Sequence, residues 1–207
     1  MKKWALYILM IVCATGVYAQ KTLNSKDKAS ENIQKKMELF CEYVEKVGTT
    51  NAVSTDEKDK ICKEKVPALF VDYENRYMRT SSGVDGKIIR QKRMSSYFEN
   101  LKRQSSASIN RQIEYKLEFD VFDDGNEGEI LWEYIKTDKN EVKEYWGYVK
   151  IKQLYVVRTI RNGEVVYKYH EGDVKTIKVI KRVAPNGIIK VGLGDVTNTE
   201  RISQGKL

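Results

Sequence analysis

The sequence predicts an α+β protein in which N-terminal helices pack against a curved antiparallel β-sheet. Three observations carry that expectation. Between residues 29 and 104 apolar side chains recur every three or four positions, the period of a helix with one buried face. After residue 110 the period drops to two, as in a strand. The segments of period two are joined by short links of turn-forming residues, which connect antiparallel neighbours. Helices first and strands afterwards is the order in which helices cover one face of a sheet.

Composition narrows the class. The chain has 207 residues, 41% hydrophobic and 32% charged, too polar for a membrane bundle and too apolar for a disordered tail. Two prolines and 13 glycines exclude collagen-like or Pro-rich architecture, and no fixed-period repeat marks a solenoid. One domain over residues 29–195 is expected.

The first twenty residues read as a secretory signal. Lys2 and Lys3 form a basic start, Trp4 to Cys13 an apolar run, and Val17-Tyr18-Ala19 a small-x-small cleavage pattern. The apolar run is short of the roughly 20 residues that a bilayer core requires, which disfavours a membrane anchor. Val12 before Cys13 disfavours a lipoprotein signal. Cleavage after Ala19 leaves Gln20 as the first residue, a loose polar leader over 20–28, no membrane span, and an exported protein, periplasmic or secreted. Loss of Lys2 and Lys3 lowers the formal net charge of +8 by two. The remaining excess permits attraction to acidic surfaces without naming a partner. An exported chain without a nucleic-acid motif is not expected to bind nucleic acid.

In chain order, Ile33, Met37, Phe40, Cys41, Val44 and Val47 share one face of a helix over 29–47, stopped by Gly48. A second helix starts at Ser54, where Glu57 three residues on has capping-box spacing, and carries Ile61, Leu69, Phe70, Tyr73 and Tyr77. Pro67 is expected to kink or split it. The segment 80–87, with two glycines and no apolar residue but Val84, reads as a surface turn, and its glycine and lysine spacing departs from a phosphate loop. A third helix over 91–104 has Met94, Tyr97, Phe98 and Leu101 on one face and Lys102 and Arg103 near its end, where cations suit the helix dipole.

From Ile113 to Val121 apolar and charged residues alternate. Further strands are expected near 129–136, 142–152, 154–160, 164–170, 174–183 and 188–194, turned by Asn162-Gly163, Pro185-Asn186-Gly187 and the link at 138–141. Residues 196–207 read as an edge segment with a frayed terminus. The basic run at 175–182 reads as solvent-facing lysines that blunt a sheet edge.

The chemistry-bearing residues are few. Trp132 and Tyr134 share a strand face, as do Trp146 and Tyr148; with Tyr73 and Tyr77 they form the candidate lining of a ligand pocket, against the plainer reading of aromatic core packing. His170, the single histidine, precedes Glu171 and Asp173, and either carboxylate reaches it only through a local backbone reversal. Asp123, Asp124, Asn126, Glu127 and Glu129 are oxygen-rich, but their spacing departs from a calcium loop and reads as an acidic turn. Cys41 and Cys62 either form a disulfide, closing a loop of about 22 residues worth about 3 kcal/mol in the chain-entropy model, or stay as buried thiols. Two cysteines and one distant histidine do not make a zinc site, so no metal is expected. No cofactor motif occurs, and neither a nucleophile elbow nor a zinc-protease pair is present.

The order of a helical hairpin, a turn, a third helix carrying the residues MSSYFENL at 94–101, and a long antiparallel meander resembles the nuclear-transport-factor-two-like or cystatin-like superfold. The resemblance spans residues 29–194, has more strands than that superfold usually carries, and implies a sheet wrapped around helices as a cone. Such folds host hydratases, isomerases, ligand binders and interaction modules, and fold does not choose among them. The expected function is a non-enzymatic binding module for a small apolar ligand, a glycan or a protein. The alternatives are a small proton-transfer enzyme using His170 or a Tyr-carboxylate pair, and a protease-inhibitor-like module implied by the cystatin-like shape.

Overall fold

The computed structural model describes residues 28–82, 87–106, 110–120 and 130–206. The expected signal sequence at 1–19, the expected leader up to residue 27 and the acidic segment at 123–129 lie outside the described residues. The architecture is α+β: helices α1 (Lys28–Gly48), α2 (Thr55–Lys60) and α3 (Met94–Ser105) accompany a hairpin of β1 (Tyr77–Ser82) and β2 (Ile88–Arg93) and a sheet of β3 (Arg111–Asp120), β4 (Glu133–Thr137), β5 (Lys143–Arg161), β6 (Glu164–Val183) and β7 (Ile189–Lys206). The sheet is open and antiparallel, in the order β3-β5-β6-β7, with β4 pairing with the other end of β5.

Helix α1 forms where the stripe demands it, and Ile33, Met37, Phe40, Val44 and Val47 are all fully buried. Phe40 is the meeting point of the helical layer, edge-on to Phe70 at 6.0 Å and to Phe98 at 6.1 Å. Ser54 caps α2, its Oγ accepting from the Glu57 N–H at 3.2 Å. Glu57 does not close the capping box; its carboxylate accepts from Lys65 at 2.6 Å instead. The second helix is shorter than its apolar spacing predicts. A π turn at Ile61–Lys65 is followed by 3₁₀ turns at Pro67–Leu69 and Tyr73–Asn75, and Tyr77 already belongs to β1. Pro67 ends the helix at the position where its missing N–H would break the ladder.

Lys58 is buried beside the C-terminal ends of two helices. Its Nζ donates to the Thr49 carbonyl at 3.0 Å, just past α1, and to Ser105 Oγ at 2.7 Å, at the end of α3. Ser105 Oγ in turn donates to the Val47 carbonyl at 2.6 Å. Orphan carbonyls and the negative ends of two helix dipoles converge on one ammonium.

The strands are longer than expected. The segments 142–152 and 154–160 form the single strand β5, and 164–170 and 174–183 the single strand β6. The terminal segment is the edge strand β7, paired along β6 as far as Lys206 rather than frayed. Asn162 and Gly163 turn β5 into β6 with φ of 53° and 83°, left-handed values that asparagine and glycine tolerate. Three register shifts between β6 and β7 bend the sheet around the helices. Gly192 lets the chain cross at close range, since a Cβ there would stand 3.0 Å from the Val71 nitrogen. At the opposite edge α1 covers β3: Leu117, Tyr115 and Ile113 donate their N–H groups to Glu45 Oε1, Thr49 Oγ1 and Thr50 Oγ1 at 2.7, 3.0 and 2.9 Å.

Candidate functional site

Strand alternation sorts the candidate residues onto two faces. The inner face, toward the helices, carries Tyr145, Val149, Ile151, Gln153 and Tyr155 of β5 and their register partners on β6. At one end of this face Tyr134 pairs with Tyr145, Tyr145 with Lys181, and Lys181 with Val191. The Tyr134 and Tyr145 rings meet edge-on at 5.7 Å, and Lys181 Nζ stands 4.5 Å from the Trp132 ring centre and 5.2 Å from that of Tyr145. Tyr134 is 54% exposed there. This is an aromatic platform with a cation at its centre, apolar in its flat area and positive at one point.

The six expected pocket residues are not brought together. Trp132 and Tyr134 belong to that platform. Trp146 and Tyr148 lie on the outer face, where Lys178 Nζ sits 4.1 Å over the Trp146 ring and the indole N–H donates to Glu144 at 2.9 Å. Tyr73 packs on Phe70 at 5.5 Å in the helical layer, and burial holds its phenol well above the usual range. Tyr77 opens β1, its backbone N–H bound to Asp195 Oδ1 at 2.9 Å. Faces alternate along a strand, and β4 pairs Tyr134 with Tyr145 rather than with Trp146; this separates the two aromatic pairs. Tyr145 and Lys181 were missed by the sequence reading, although their positions in alternating segments put them within its reach.

His170 lies on the outer face, across from Val156 and Gly205. Glu171 and Asp173 lie on the inner face, so the backbone makes no reversal and neither carboxylate can orient the imidazole. The His170 ring packs against Gly205, where a Cβ would stand 3.3 Å from Cε1. Its Nδ1 is buried with no hydrogen-bond partner among the described residues. Cys41 and Cys62 are buried free thiols and not a disulfide. They face different surroundings, Cys41 toward Glu45 and Glu38 of its own helix and Cys62 toward Glu99 and Asp59, and burial pushes the two thiols up to about 12 and about 11. Among the described residues no group of metal-ligating side chains gathers.

A buried polar cluster occupies the middle of the inner face and was not anticipated. Arg201 Nε donates to Asp173 Oδ1 at 2.6 Å, Nη2 to Glu171 Oε2 at 3.0 Å and to Ser81 Oγ at 2.9 Å, and Nη1 to Gln204 at 2.7 Å. Ser81 Oγ donates to Asp173 at 2.9 Å, tying the β1–β2 hairpin to the sheet. Lys175, 1% exposed, donates to Thr199 Oγ1 at 3.1 Å and to Asp173 Oδ2 at 3.4 Å. Burial draws its ammonium below the usual lysine range, opposed by Asp173. Tyr169 donates to Glu171 at 2.7 Å, and burial together with that carboxylate pushes its phenol up to about 12. Two carboxylates balance two cations, and every arm of Arg201 is engaged. Such a lattice fixes the packing of β1, β6 and β7.

The basic run at 175–182 does not blunt an edge, because β6 is a central strand. Lys175 is in the buried cluster, Lys178 pairs with Asp195 at 3.2 Å, Lys181 caps the platform, and Arg182 bonds Glu144 and Asp72 at 2.8 and 3.1 Å. No family model matches the chain, and neither a curated protein nor a solved structure matches it, so the platform and the cluster stand on their own chemistry.

Proposed function

We propose that the chain is an exported, non-enzymatic binding module that holds its ligand on the aromatic platform at the end of the inner sheet face. One observation carries the reading: Trp132, Tyr134 and Tyr145 group around Lys181, with Tyr134 more than half exposed. Aromatic rings fixed on strands offer flat apolar area at little cost in side-chain entropy. A glycan fits such a surface, its C–H faces stacking on the rings. The basic start, apolar run and Val17-Tyr18-Ala19 support export. Element order and the one-sided helical cover support a place beside the nuclear-transport-factor-two-like or cystatin-like superfold.

Titration of the mature protein with neutral and uronate-containing oligosaccharides tests the reading. Trp132→Ala and Tyr134→Ala are expected to weaken binding by about tenfold or more, as for the anchors of an interface. Trp146→Ala, on the outer face, is expected to lower stability while leaving affinity unchanged, and His170→Ala to leave binding intact. Binding that survives both platform substitutions, or a turnover that His170→Ala abolishes, overturns the proposal. Mass spectrometry of the protein from its native host is expected to find Gln20, or its cyclised form, at the N-terminus; an intact Met1 sinks the export claim.

A further inference from the structure

The β1–β2 hairpin carries a concentration of exposed positive charge. Residues 77–93 hold five basic side chains, Arg79, Lys87, Arg90, Lys92 and Arg93, against one acid, Asp85. Arg79, Arg90 and Arg93 are exposed and Lys92 partly so. Arg79, Arg90 and Lys92 form no ion pair among the described residues, and Arg93 reaches only the Glu74 carbonyl, at 3.4 Å. β2 is the outer strand of a two-stranded ribbon, paired with β1 alone. Next to these cations stand Ile88 and Ile89, 53% and 48% exposed.

Charge on an edge strand often serves only to keep other strands away. That role does not account for two neighbouring isoleucines left in water beside the charges, since exposed apolar residues on an edge invite the pairing that the charges prevent. Cations flanking protruding apolar side chains suit a surface that is anionic outside and apolar just beneath. We propose that the β1–β2 hairpin docks the protein on an anionic lipid surface with the open edge of β2 toward the bilayer, so that the cations of both ribbon faces, Arg90 and Lys92 beside Ile88 on one and Arg79 and Arg93 beside Ile89 on the other, reach the phosphates while the two isoleucines enter the boundary of the acyl chains. This is peripheral attachment: no helix among the described residues is long and apolar enough to cross a membrane. Basic residues near an anionic leaflet each strengthen attachment about fivefold, an effect that fades as salt shortens the screening length. The two isoleucines distinguish a bilayer from a soluble polyanion, because only the bilayer has an interior to receive them.

Vesicle sedimentation of the full mature chain tests the proposal and does not depend on the aromatic platform. With vesicles of equal parts phosphatidylglycerol and phosphatidylcholine the protein is expected to bind at low salt, to release at high salt, and to ignore pure phosphatidylcholine. The triple variant Arg79→Gln/Arg90→Gln/Lys92→Gln is expected to lose about a hundredfold in partitioning, three steps of about fivefold each. The double variant Ile88→Ser/Ile89→Ser is expected to weaken vesicle binding while leaving any binding to heparin, a soluble polyanion, unchanged. Thermal unfolding of each variant checks that the exposed changes leave the fold intact. Equal binding to neutral and anionic vesicles, no binding to either, a triple variant that binds like the parent, or a double variant that keeps full vesicle affinity each overturns it; the last assigns the basic ribbon to soluble polyanions.

Discussion

The two basic runs of the chain, at 175–182 and at 87–93, have four cations each and opposite surroundings. The first lies in β6, with a strand on either side, and each of its cations has a carboxylate, a hydroxyl or an aromatic ring as neighbour. The second lies in β2 apart from Lys87 just before it; among the described residues β2 pairs with β1 alone, and Arg90 and Arg93 face solvent with Lys92 half-buried. The difference teaches that the role of a lysine-rich strand is set by its place in the sheet and not by its composition. A central strand must neutralise each charge from residues far away in sequence, whereas an edge strand can leave its charges for a partner.

The sharpest way to break that contrast is to remove the carboxylate that the buried run depends on. Asp173→Ala leaves Arg201 and Lys175 buried without their shared partner and is expected to destabilise by about 3–5 kcal/mol, read by denaturant unfolding. Lys175→Met is expected to be milder, about 1–2 kcal/mol, because Arg201 and Ser81 still hold Asp173 and the methionine refills the space. A loss for Lys175→Met as large as for Asp173→Ala would mean that the ammonium, and not the guanidinium, organises the cluster.

The same pair of proteins gives a pH signature. Burial holds the Lys175 ammonium below its ordinary range in the fold, so across that window the unfolded chain binds more protons than the folded one. Stability from this group therefore rises with pH on the way up to the ordinary lysine range, about pH 10, and the parent is expected to gain on Lys175→Met as pH is raised toward it. Lys58, lowered by burial in the same direction, is present in both proteins and cancels from the difference. A parent that loses ground with rising pH would show that Asp173 outweighs desolvation. The smallest effect is expected in the exposed run: Arg90→Gln should change stability by no more than about 0.5 kcal/mol.

Much of the fold was legible because its signals are local. The stripe of α1, the Ser54 cap and the Asn162-Gly163 turn each depend on residues a few positions apart, and all appear as expected. What the sequence hid depends on distant partners. Asp173 sits at an inner-face position of a strand, where alternation calls for an apolar residue, so the alternation breaks there and predicts two pieces where the fold has one long strand. The residue that satisfies it, Arg201, is 28 positions away, in a segment read as a tail. The β1–β2 hairpin was hidden differently: Phe70, Tyr73 and Tyr77 continue the spacing of a helix, although the chain has already turned into a strand. Alternation puts Trp132 with Tyr134 and Trp146 with Tyr148, but sequence could not show that β4 pairs Tyr134 with Tyr145, leaving Trp146 on the far side.

The cover that α1 gives to β3 bears on the order in which the protein assembles. The meander from β5 to β7 can zip from two tight turns, each closing a short stretch of chain. The edge of β3, by contrast, is sealed by contacts between residues 63, 66 and 72 positions apart, which must wait for a long loop to close. Until Glu45, Thr49 and Thr50 arrive, three backbone donors of β3 stand open, a template for the strand of another chain. The amides of Ile113, Tyr115 and Leu117 should consequently gain protection from hydrogen exchange later than those of β5 and β6 during refolding, and that interval is when newly made protein is most exposed to aggregation.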